Sequence, residues 1–268
     1  RAASRGKRAE GAVTNSKFKI QNSKLQHAPH PTPYTPHPFF TMIHQLIFAH
    51  PRPGMSEKDF QDYWINIHAV NYASKIPQIR RYLIDLRIPF GAEPVDPLFS
   101  GVAEIWLENE AEQIASLQSK EFIEGARRDE PNWAAFWRTV GLDTTAHVLM
   151  EGEPLQRDSK RIKLLIMVKR KAGMPLAEFR QTMLHGHAAK VMKIPGLQRY
   201  LQCHVRDSFY AIGESILDCV SQLWFDDLSS LEKALNSPEY ENLILPEFGH
   251  LFETNYVHSM VTAENWII

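Results

Sequence analysis

Lys75-Ile76-Pro77-Gln78-Ile79-Arg80-Arg81-Tyr82-Leu83 returns further along the chain as Lys193-Ile194-Pro195-Gly196-Leu197-Gln198-Arg199-Tyr200-Leu201, identical at six of nine positions. The echo extends both ways. Leu46, Ile47, Gly54, Met55, Phe60, His68 and Ala69 reappear as Leu165, Ile166, Gly173, Met174, Phe179, His187 and Ala188. Downstream, Trp106 returns as Trp224, and Ser119-Lys120-Glu121-Phe122 as Ser237-Pro238-Glu239-Tyr240. The offset is 119 residues before the Ile-Pro step and 118 from it onward, so one residue is lost between the copies' first helices and second strands. A repeat of this length at a near-constant offset marks a duplicated structural unit. The polar, turn-rich Glu151-Gly152-Glu153-Pro154 separates the copies, giving units over residues 42–152 and 153–268.

Each copy reads as strand, helix, strand, strand, helix, strand. Ile43–Ala49 and Ile162–Val168 are short apolar, β-branched runs. Ser56 and Asp59 form a capping pair, and Pro175 stands at the matching helix start. Phe60, Tyr63, Trp64 and Ile67 then follow helical spacing along one face. In the third strand, Ala103, Ile105 and Leu107 form an apolar face suited to helices, whereas Val102, Glu104 and Trp106 form a mixed one. Val220, Gln222 and Trp224 repeat the mixed face. A four-stranded sheet with both helices on one side leaves its other side bare. The expectation is therefore an α+β fold of two tandem ferredoxin-like (βαββαβ) units, their bare sheet faces meeting as a pseudo-dimeric barrel with a lumen. Strand two does not declare its inward side, because the Tyr82 face is the more apolar in one copy and the Arg199 face in the other.

Residues 1–41 stand apart. They hold seven basic residues against one acid, five prolines between Pro29 and Pro38, and a sequence around Asn15–Gln21 whose codons suit a seven-nucleotide DNA repeat. The first methionine is Met42. This segment reads as a disordered leader or a misassigned start, with a targeting peptide as the competing reading. The remainder carries 23 basic and 30 acidic residues, a poor balance for binding a polyanion, so no nucleic-acid partner is expected. No apolar run is long enough for a membrane span. Cys203 and Cys219 suggest neither a disulfide framework nor a zinc site, which points to a cytoplasmic setting.

The pattern Phe60-x-x-x-Trp64-x-x-x-His68-Ala69 after a Pro-Gly-Met-Ser turn, followed by the Ile-Pro-x-x-x-Arg-Tyr step, resembles the EthD family of the dimeric α+β-barrel superfamily. Phe179-x-x-x-Met183-x-x-x-His187-Ala188 carries the same resemblance in the second copy. It spans nearly all of residues 43–268 as two family-length copies. It implies a ferredoxin-like unit that normally dimerises, here fused into a covalent pseudo-dimer. The family is loosely associated with oxidation, including alkyl-ether degradation beside a haem monooxygenase system. The wider superfamily spans quinol-type monooxygenases, cyclases, isomerases and haem enzymes, and fold alone does not choose among these.

His68 and His187 are the candidate acid/base groups, since imidazole titrates near neutral pH. Counted at 100° per residue from Phe60, His68 lies about 80° from the stripe centre, at the edge of the buried face. Glu104 is the candidate second proton-transfer group; its counterpart Gln222 cannot titrate. Tyr82, Tyr200, Trp64, Trp106, Trp224, His147 and His258 are candidate substrate-lining residues, with His147 and His258 read as aligned in the last strands. Structural roles compete throughout: a helix-edge histidine bonded to backbone, a rim glutamate, a packed tyrosine. His185 and His187 face different ways on a helix, so no metal site is expected. No cofactor is expected either; an axial haem histidine is the alternative weighed. No phosphate-cradling or dinucleotide motif occurs. The two functional expectations are a histidine-based, oxidoreductase-associated or cofactor-independent enzyme acting on a small apolar or aromatic molecule inside the barrel, and a non-catalytic carrier assisting a partner oxygenase. Of the two units, the first is expected to be the better catalytic candidate.

Overall fold

Strand alternation and the repeat together dictate eight strands, and the computed structural model arranges them as a ring. It describes residues 42–92, 94, 96–154, 156, 157 and 159–268; the expected leader lies outside the described residues. The first copy contributes β1 (Ile43–Ala49), β2 (Ile79–Arg87), β3 (Gly101–Leu107) and β4 (Val140–Met150). The second contributes β5 (Ile162–Arg170), β6 (Arg199–Val205), β7 (Cys219–Phe225) and β8 (Phe252–Trp266). Their order round the closed barrel is β1-β3-β2-β8-β5-β7-β6-β4. Each copy keeps its four strands together. Two antiparallel seams, β2 with β8 and β4 with β6, join the copies edge to edge. The chain is thus a tandem α+β barrel whose two sheets face each other across a lumen.

The helices start where polar side chains can cap them. Ser56, Asn109 and Asp227 each accept a hydrogen bond from the backbone N–H three residues on. The first helix of each copy then widens into a π-helical turn, Trp64–His68 and Thr182–His187. A π turn holds more residues than an α turn, so it advances less per residue. That lag rotates His68 back toward the Phe60 stripe. The histidine predicted at the edge of the buried face is in fact buried.

The sheet separates two interiors. On the helix side of the first copy, Phe60, Trp64, Tyr82, Ile84, Ala103 and Ile105 pack together. In the second copy Tyr200 and Leu223 pack against its helices. Both tyrosines therefore face helices, which settles the strand-two side. The lumen is polarised along its axis. One end is apolar, with Leu46, Phe48, Val102, Leu165, Met167 and Val220. The other end carries the buried His44, Asp85, Glu104, Lys163 and Gln222 beside Trp106 and Trp224.

Candidate functional site

On the helix side of the first sheet lies a cavity of about 350 Å³, lined by Trp64, His68, Tyr82, Ile105, Phe122 and Trp133 among others. That volume lies near the lower end for ligand pockets, and the wall is mainly apolar and aromatic. Arg127, Glu130, Leu117 and Phe136 belong to the same lining; Arg127 and Glu130 pair as ions, and Leu117 and Phe136 are solvent-exposed.

One titratable pair stands in this apolar setting. His68 Nδ1 lies 2.9 Å from Asp129 Oδ2. Asp129 Oδ1 accepts from the Tyr63 hydroxyl at 2.7 Å and from Asn132 Nδ2 at 3.0 Å. Burial alone would raise the Asp129 pKa, but the hydrogen bonds from Asn132, Tyr63 and His68 hold it below the ordinary carboxylate value. Trp133 Nε1 also lies 3.1 Å from His68 Nδ1, and an indole N–H only donates. Nδ1 can serve one of these partners, and the ionised carboxylate is the stronger. Nδ1 thus carries the proton, and Nε2 is the basic nitrogen, with no hydrogen-bond partner among the described residues. Burial lowers the His68 pKa, and the Asp129 hydrogen bond and charge offset this only in part. The ring is neutral at pH 7. Tyr63 is pushed up to about 12 by burial and by its bond to Asp129.

The second copy repeats the pair but not the space. His187 Nδ1 lies 2.8 Å from Glu247 Oε2, and Lys190 Nζ donates to Oε1 at 2.6 Å. The matching cavity is only about 20 Å³, because Leu235, Tyr240, Ile244 and Phe248 close around His187 and Tyr200. That is room for about one water molecule.

Glu104 does not join His68. It lies on the lumen face of β3, between Ala103 and Ile105, whose side chains face the helices. The carboxylate is also no rim group. Its Oε2 lies 2.7 Å from His44 Nε2 and its Oε1 accepts from Lys163 Nζ at 2.6 Å. Lys163 reaches Asp85 at 2.8 Å and Glu264 at 2.6 Å as well. Against burial, Lys163 and His44 hold Glu104 well below the usual range. Burial pushes Asp85 well above it, with Glu104 and Glu264 adding to the rise against Lys163.

The remaining predicted residues divide by face. Trp64 and Tyr82 line the cavity beside His68; Tyr200 sits in the closed counterpart. Trp106 stacks on His44 with centroids 4.3 Å apart, and Trp224 Nε1 donates to Glu264 at 3.1 Å, so both belong to the lumen wall. His147 and His258 are not equivalent. His258 pairs in register with lumen-facing Met167. His147 faces outward, its ring 5.4 Å from that of His204 in an open cleft with Arg180. The last strands instead align at Thr144 and Thr262, which donate to the carbonyls of His44 and Lys163 respectively.

Four residues with a clear role escaped the sequence reading: Asp129, Trp133, His44 and Lys163. A signal existed for the first, since Asp129 and Glu247 obey the same 118-residue offset. Among the described residues, no three metal-ligating side chains gather, and no helix is long and apolar enough to cross a membrane.

The EthD domain matches the chain twice, over residues 52–136 and 171–254. Among solved structures, an anthrone oxidase-like protein superposes with a TM-score of 0.61 at 9% identity, covering 84% of this chain and 93% of that chain. A candidate monooxygenase from Fusobacterium nucleatum gives a TM-score of 0.52 at 6% identity, covering 85% and 93%. At such identities the likeness is one of fold. Among curated proteins, none matches by sequence.

Proposed function

Because the chain belongs to the EthD family, with two domains in tandem, we propose that its first unit is an enzyme site for a small apolar or aromatic molecule, with His68 as the general base. The observation that carries this is the His68 ring itself. Its Nδ1 is held by Asp129 while its basic Nε2 has no partner among the described residues, at the wall of a largely apolar cavity. An ionised Asp129 stabilises the imidazolium that forms when Nε2 takes a proton. Trp64 and Trp133 offer faces for an aromatic ring, and Tyr82 a hydroxyl for a substrate oxygen. The chemistry is removal of a weakly acidic proton from a carbon acid or phenol, the step that makes such a molecule reactive toward oxidation or cyclisation. No cofactor is required for that step.

The test separates binding from proton transfer. Anthrone serves as the carbon acid, held without oxygen in deuterated buffer, and deuterium wash-in is followed by NMR. The wild-type chain accelerates wash-in. His68→Ala loses about 10²–10⁴-fold of that rate with little change in anthrone affinity, read from quenching of tryptophan emission. Binding without any wash-in would overturn the enzyme reading and leave a carrier.

A further inference from the structure

The turn that supplies Asp129 to His68 also places Arg127 and Glu130 in the wall of the same cavity. Arg127 donates from Nη1 to Glu130 Oε2. Its guanidinium lies 3.9 Å from the centroid of the Phe136 ring. His68 is buried, whereas Arg127, Leu117 and Phe136 are exposed, so the ion pair marks the solvent end of the cavity.

The duplication shows that the fold does not need this pair. At the 118-residue offset Ala126, Arg127 and Glu130 become Ile244, Leu245 and Phe248. Ile244 and Phe248 are two of the side chains that close the second copy's cavity. There, apolar groups complete the same helix-on-sheet packing. In the first copy a methyl group and a carboxylate stand in their place, and the cavity is open. An ion pair near solvent adds little to stability. Its effect is on what the cavity admits.

Both members of the pair have bonding capacity to spare. Glu130 Oε1 has no hydrogen-bond partner among the described residues, and it is not sealed from solvent. Burial raises the Glu130 pKa, against the hydrogen bond and charge of Arg127, as expected of a carboxylate short of donors. Arg127 has five N–H donors and gives one to Glu130. An acceptor and several donors therefore stand side by side, with no net charge between them. A hydroxyl satisfies both at once, donating to Glu130 Oε1 and accepting from Arg127. A carboxylate only accepts, and it meets the like charge of Glu130. An ammonium only donates, and it meets the like charge of Arg127. Asp129 adds no free acceptor here, since Tyr63, His68 and Asn132 occupy it.

We propose that the Arg127–Glu130 pair selects an aromatic substrate carrying a neutral hydroxyl at the end remote from the atom that His68 deprotonates. The proposal rests on reading the cavity as the enzyme site, and it names the substrate class: a hydroxylated aromatic, not an aromatic acid or amine. Arg127 and Glu130 determine specificity, and the proton transfer belongs to His68.

The experiment measures binding of a naphthalene series to the full chain by calorimetry. The probes are the diol with hydroxyls at opposite ends, its monomethyl ether, the plain naphthol, and the hydroxynaphthoate in which a carboxylate replaces one hydroxyl. The diol binds about ten-fold more tightly than the ether or the naphthol, and the hydroxynaphthoate binds most weakly. Glu130→Gln removes the negative charge and frees Arg127. Hydroxynaphthoate then binds about ten-fold better than to the wild-type chain, and the lead of the diol narrows. Should that variant fail to fold, the wild-type series decides. A diol no tighter than naphthol, a hydroxynaphthoate that matches the diol, or unchanged selectivity in folded Glu130→Gln would overturn the proposal. Anthrone carries no remote hydroxyl, so its wash-in reports on His68 alone. Accelerated wash-in with no preference for the diol overturns the selection and leaves the base; a preference for the diol without wash-in does the reverse.

Discussion

His68 and Glu104 stand back to back across the first sheet: the histidine packs on the helix side with Ala103 and Ile105, and the glutamate between those two residues enters the lumen. The two groups that look like an acid/base pair in sequence therefore serve different interiors. His68 works with Asp129 on one side. Glu104 binds Lys163 and His44 on the other, where it links the two copies.

Replacing Asp129 by Asn removes the negative charge that raises the His68 pKa against burial. The His68 pKa, read by NMR titration, falls further below its ordinary value in Asp129→Asn. The loss of the oriented tautomer lowers anthrone wash-in by about 10²-fold or more. An unchanged titration would show that the carboxylate does not govern the ring.

Acid weakens the fold through a different histidine. His204 is buried, and burial with the neighbouring charges of His147 and Arg180 lowers its pKa from 6.5 to about 3. The unfolded chain then binds a proton that the folded one refuses. The stability this ring contributes is complete above pH 6.5 and is lost as pH falls toward about 3. The loss reaches roughly 3 kcal/mol by about pH 4. Urea unfolding at several pH values measures it, and His204→Gln flattens the slope below pH 6.5 relative to the wild-type chain.

Lys163→Met strips the shared cation from Asp85, Glu104 and Glu264. Removing one partner of a buried ion pair typically costs about 3–5 kcal/mol. A denaturation midpoint within error of wild type would show that the lumen network is not a structural clasp.

Ala103 lines the open cavity. In Ala103→Leu the added carbons enter that space rather than close-packed core, so the expected change in Tm is small. Anthrone affinity drops about ten-fold as the cavity fills. A large loss of stability would mean that the space is not available.

Cutting the polypeptide between the copies leaves the barrel closed. A protease site placed between Gly152 and Lys160, cleaved after folding, yields two fragments that elute together by size exclusion. Each seam is a ladder of backbone hydrogen bonds, and the lumen charges tie the halves. Separation in native buffer would count against this pairing.

The fold was legible because repetition and alternation are properties of local residue order. The third strand's Ala103, Ile105 and Leu107 against Val102, Glu104 and Trp106 announced two different surroundings, and both exist. The site was legible only in part. His68, Trp64 and Tyr82 meet in one cavity because the helix motif and strand two carry them there. Asp129 lies 61 positions from His68, so helical or strand periodicity could not join them. Comparing the copies could, but an Asp facing a Glu at the 118-residue offset is a weak match among diverged residues. The last strands do not align at His147 and His258, because register is set by the backbone ladder, in which the Thr144 and Thr262 hydroxyls hold equivalent places. Nor does periodicity at 100° per residue foresee a π turn, whose wider winding brings His68 inward.

Closure through two seams also sets the order in which this chain can be completed. Leu83 in β2 waits for Trp266 in β8, 183 residues later, before its strand is paired on both sides. A nascent chain halted after the first copy exposes two bare strand edges and one unburied lumen face, with Asp85 and Glu104 still lacking Lys163. Unpaired edges are templates for pairing with a neighbour. Until β8 has been made, the half-made molecule presents the surfaces that invite a second copy to dock, and β8 is the strand that withdraws the invitation.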